Sequence, residues 1–78
     1  MADRLTMNNL LVSARAAILE YRNDQRILET KLGSDARPDN ADQVVDDYLV
    51  LEEIKKYLET ADELILQAQN CLLKIKTV

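Results

Sequence analysis

The segment Gly33-Ser34-Asp35-Ala36-Arg37-Pro38-Asp39 holds the only glycine and the only proline of this 78-residue chain. It is therefore the one place where regular structure is expected to break. Gly33 suits the left-handed position just past a helix end, and Arg37, preceding proline, is biased away from helix. Asn40 followed by Gln43 reads as a capping box for a second helix, with Asp39 as an alternative cap. On either side of this break the apolar pattern runs without interruption.

Before the break, Met7, Leu11, Ala14, Ile18, Tyr21, Gln25, Leu28 and Leu32 follow one another in steps of four and three. After it, Val44 starts a second seam, continued by Leu51, Ile54, Leu58, Ala61, Ile65, Ala68, Leu72 and Ile75. Alternating steps of this kind mark helices that pack lengthwise at a shallow angle. The expected fold is all-α: an antiparallel two-helix hairpin resembling a coiled coil, with one domain spanning 1–78. Its helices are expected at about 6–32 and 40–76, joined by a loop at 33–39. The second helix is then the longer, about 54 Å against about 40 Å, and its turns around Cys71 to Ile75 overhang. Counting from the loop sets Leu28 beside Tyr48, Ile18 beside Leu58 and Leu11 beside Ile65. Asp42 and Asp46 near the start of the second helix, and Lys74 and Lys76 near its end, agree with the helix dipole.

Composition supports helices and narrows function. The chain is rich in good helix formers, and its only aromatics are Tyr21, Tyr48 and Tyr57. Its formal charge is −4, with residues 33–78 carrying ten acidic and five basic groups. Nucleic-acid or anionic-membrane partners are not expected. There is no histidine, one cysteine (Cys71) and one glycine. Ordinary zinc sites, phosphate-binding glycine loops and the usual neutral-pH acid–base group are thereby excluded. The acidic residues Asp35, Asp39 and Asp42 lack EF-hand spacing, so no metal or other cofactor is expected. A lone cysteine fits a reducing compartment.

Two further readings are set aside on pattern. The run from Leu10 to Leu19 is broken by Ser13 and Arg15, unlike a signal peptide; Arg4 and Arg15 against Asp3 faintly echo a transit peptide, but the stretch serves better as a packing helix. Small helical chorismate mutases hold a dianion with basic residues on long helices. Here Arg15 and Arg22 fall on one side and Arg26 on another, so no such convergence, and no enzyme activity, is expected.

Writing each seam as positions a and d, the flanking e and g positions differ in character. The e side carries Asn8, Arg15, Arg22 and Glu29, then Tyr48, Lys55, Asp62 and Gln69, and Arg15 is placed to meet Asp62. The g side carries Leu10, Ala17, Val50, Tyr57, Leu64 and Cys71. An apolar strip of this kind on a soluble hairpin marks an interface, and a chain this small gains from added burial. These six residues are the candidate partner-binding set. A third element from another protein and a second copy of the chain satisfy the pattern equally. Val12, Ala16 and Leu19, on the back of the first helix, read as scattered surface residues.

With the hairpin in view, the chain resembles the small co-chaperones of type III secretion needle subunits, the YscE/SsaE/EscE class. The resemblance covers nearly the whole length. It rests on Leu5-Thr6, Leu10-Leu11 and Ser13-Ala14-Arg15 in a first amphipathic helix, and on a short polar loop with proline and Asp. Tyr48 and Leu49-Val50-Leu51-Glu52-Glu53-Ile54 in a second helix complete it. The resemblance implies a bacterial cytoplasmic, virulence-associated protein-binding chaperone. Such a protein pairs with a tetratricopeptide-like chaperone and keeps the needle subunit from polymerising before export. The alternatives are a homodimeric coiled-coil scaffold and a needle-type filament subunit. The single proline in the loop, in place of a proline-bracketed turn, disfavours the last.

Overall fold

The computed structural model describes residues 3–76 and is an all-α helical hairpin. Helix α1 runs Arg4–Asp35 and helix α2 runs Ala41–Leu72. They lie side by side in a rod with extents of 62 × 16 × 15 Å.

Both ends of α1 differ from the sequence expectation. Asp3 caps its start, its carboxylate accepting from the Thr6 backbone N–H at 2.8 Å. At the other end the helix runs through Gly33 and stops at Asp35, with Ala36 extended. Gly33 is not a left-handed terminator; its backbone lies outside that region. What glycine provides here is space. A Cβ at Gly33 would stand 3.0 Å from the Tyr48 hydroxyl, which crosses from α2 to donate to the Glu29 carbonyl at 2.6 Å.

The loop is consequently shorter than expected, and the capping box does not form. Asn40 precedes α2 but makes no side-chain bond to it. Its amide instead ties the loop together: Oδ1 accepts from the Arg37 N–H at 2.7 Å and Nδ2 donates to the Asp35 carbonyl at 3.2 Å. Gln43 turns forward to donate to Asp47.

The second helix is not the longer one, nor does it overhang. Each helix has 32 residues. Leu72, assigned to the overhang, is one of the most covered apolar residues, at 7% exposure. Beyond it the chain turns, Ile75 N–H donating to the Leu72 carbonyl, and the Arg4 guanidinium donates to the Ile75 carbonyl. Lys74 and Lys76 thus lie past the end of the helix rather than in its last turn.

The pairing register agrees with the count from the loop. Gln25 bonds the Leu51 carbonyl, Tyr48 bonds the Glu29 carbonyl and Arg15 pairs with Asp62, each contact joining residues that this register sets level with each other. The core is thin. Among the described residues only Leu51, Leu72 and Gln25 are buried, and no side chain is fully enclosed.

Candidate functional site

Two opposite long sides of the hairpin have different chemistry, and the cause is local. On the e side, short polar residues come level with one another and bond across the helices. Arg15 Nε donates to Asp62 Oδ1 at 3.0 Å, and its Nη1 reaches Gln69 Oε1 at 3.4 Å. Gln69 Nε2 donates in turn to Asn8 Oδ1 at 3.3 Å. Arg22 and Glu59 lie at 3.9 Å. The Arg15 guanidinium, bonded to the Asp62 carboxylate, holds that carboxyl below its ordinary range, and Arg15 is itself raised by the same bond.

These bonds accompany helices drawn together along a and e; the d positions divide, with Ala14, Asp47, Ile54 and Ala61 partly covered and the larger residues toward the ends of the rod exposed, as are the g positions. The a positions are the covered ones: Leu51 and Leu72 are buried, with Leu11, Ile18, Leu58 and Ile65 partly so. Met7, Tyr21 and Leu28 at d positions of α1, and Ile75 just past the end of α2, stand 38–46% exposed. Joining them are all six residues of the candidate set. Leu10, Ala17, Val50, Tyr57, Leu64 and Cys71 are each exposed and lie along one side of the rod. The open surface is therefore wider than the g positions alone. A heptad pattern does not distinguish a from d; the one sequence signal for the exposed d residues is the concentration of hydrogen-bonding side chains at e.

The face deepens at both ends. Near the termini, Met7, Leu10, Leu11, Ala68, Cys71, Leu72 and Ile75 enclose an apolar groove of about 420 Å3. Near the loop, Leu28, Leu32, Val50 and Leu51 line a second of about 270 Å3, with Asp47 at its edge. Tyr57, between them, donates its hydroxyl to Glu53 at 3.1 Å, a carboxylate contact that pushes the phenol pKa up. Two apolar grooves on one face, joined by exposed apolar side chains, suit a helix laid along it.

The e side also holds a feature the sequence misplaced. Arg22 and Arg26, assigned to different faces, are one turn apart and line a single depression with Lys55, Gln25 and Glu29. Its volume is about 100 Å3, room for a few atoms at most. Among the described residues no group of three metal-ligating side chains comes together. No helix is long and apolar enough to cross a membrane. No family model, curated protein or solved structure matches the chain.

Proposed function

We propose that this chain is a non-enzymatic protein-binding co-chaperone that acts through its d/g face. With a tetratricopeptide-like chaperone, it stabilises a type III secretion needle subunit as an unpolymerised monomer in the bacterial cytoplasm. The observation that supports this reading is the asymmetry of the hairpin: one side closed by cross-helix hydrogen bonds, the other a mainly apolar face with a groove at each end. A helical pair with one apolar and one polar side has the form of a terminal repeat. Arrays of helical repeats need such a unit to cover the apolar surface at their end. Covering the array and lending it rigidity would leave the array's own groove free for the aggregation-prone subunit.

The test is co-expression with the genes that flank it, followed by mass measurement of the purified complex. The expected product is a stable 1:1 or 1:1:1 assembly. Leu64→Glu and Tyr57→Glu are each expected to abolish it while the helical circular-dichroism spectrum is retained, because both side chains are more than half exposed. Retained assembly in both variants, or loss of helix in either, would remove the face from its assigned role.

A further inference from the structure

The same face has a second occupant. We infer that, in the absence of a partner, a second copy of the chain covers the d/g face in a four-helix bundle whose two-fold axis runs along the hairpin. The proposal shares the face with the function above but does not depend on any partner.

Area carries the first part. A compact monomer of this mass exposes about 4,800 Å2, whereas this chain exposes 6316 Å2. The excess of roughly 1,500 Å2 is nearly twice the ~800 Å2 per partner of a standard specific interface. A second hairpin offers an identical trough of identical length, which is what an isologous contact requires.

Charge selects the axis. Three ionised side chains interrupt the face: Asp24 and Lys31 at g positions of α1, and Asp47 at a d position of α2. Lys31 takes part in neither ion pair of the described residues. Asp47 accepts only from Gln43. By the register of Tyr48 with Glu29, Lys31 and Asp47 stand at the same level of the rod. A two-fold axis along the rod preserves level and sets α1 of one copy over α2 of the other. Lys31 then meets Asp47 of the second copy, twice per dimer. An axis across the rod instead lays α1 over α1 with ends reversed, setting Lys31 against Met7 and Leu10 and leaving both charges buried without partners.

The experiment is sedimentation equilibrium of the free chain at micromolar concentrations, on four samples. Wild type is expected to be dimeric. Leu64→Glu is expected to be monomeric and helical. Lys31→Asp and Asp47→Lys are each expected to weaken the dimer at least about tenfold, since like charges then face each other twice. An equimolar mixture of the two charge variants is expected to regain wild-type affinity, because the heterodimer restores both pairs, one in the native sense and one with its charges exchanged. A monomeric wild type overturns the proposal and leaves the partner reading standing. A dimer indifferent to Leu64→Glu places the contact on another face and overturns it. A dimer sensitive to Leu64→Glu but with no rescue in the mixture overturns the axis.

Discussion

Gln25 is the buried polar residue of the described chain, 6% exposed at an a position between apolar neighbours. Its Nε2 donates to Glu29 Oε1 at 3.1 Å and to the Leu51 carbonyl at 3.0 Å, while its Oε1 has no partner. The two acceptors fix the amide orientation, since a flipped amide would set oxygen against oxygen. Such a residue fixes register at a cost in stability. Gln25→Leu is expected to raise the urea unfolding free energy by about 1 kcal/mol, because it removes an unpaired buried acceptor; a loss of similar size would mean the amide is a net stabiliser. The Arg15–Asp62 pair gives a pH dependence of definite sign. The folded state holds Asp62 below its ordinary range, so the folded chain binds fewer protons than the unfolded one. Its contribution is present above about pH 4 and lost as acid titrates the carboxylate. Ellipticity near the thermal midpoint should therefore fall on acidification below that point, and fall less in Asp62→Asn. The pairing of Arg15 with Asp62 was legible in the sequence because both occupy e positions at matched distance from the loop. The role of Gln25 was not, because periodicity places a residue in the seam without saying what its amide meets there.

At the scale of the element, the seams decided that there are two helices, and pattern alone was sufficient for that. Their ends were misjudged by up to four residues, for reasons visible in single side chains. Gly33 has the sequence context of a terminator, but its role is to make room for Tyr48. Asn40 has the sequence context of a helix cap, but its amide serves the loop. Asp3, three residues ahead of Thr6, was the unread signal for the start of α1. The Gly33 account has a direct check. Alanine in a helix interior is favoured over glycine by up to about 1 kcal/mol, but here its methyl meets the Tyr48 hydroxyl. Gly33→Ala should stabilise more in a Tyr48→Phe background than in the wild type, and equal effects in the two would remove the steric explanation. Ile18→Asp or Leu58→Asp should unfold the hairpin by placing a charge in the a layer, read as loss of ellipticity at 222 nm.

At the scale of the whole molecule, the rod is a half-finished bundle. One long side is sealed by polar bonds and the other presents side chains of the kind that fill bundle cores. The six g residues are legible as an open strip, broken only by Asp24 and Lys31 toward the loop end of α1. The contribution of Met7, Tyr21, Leu28 and Ile75 was not, because it depends on how far the e-side bonds rotate the helices about their own axes. The resulting trough is what both the proposed partner and a second copy would cover.

Cys71 provides a native probe of that coverage. It is the only cysteine, is exposed, and lines the groove at the termini end of the face. The most direct measurement is the rate at which it is alkylated, first in the dilute free chain, then at rising concentration, then in the purified complex. The expected result is reaction at the rate of an open thiol when dilute and slowing by at least about tenfold in either assembly. An alkylation rate unchanged in assembled protein would show that the d/g face stays open to water, and would contradict the role assigned to it.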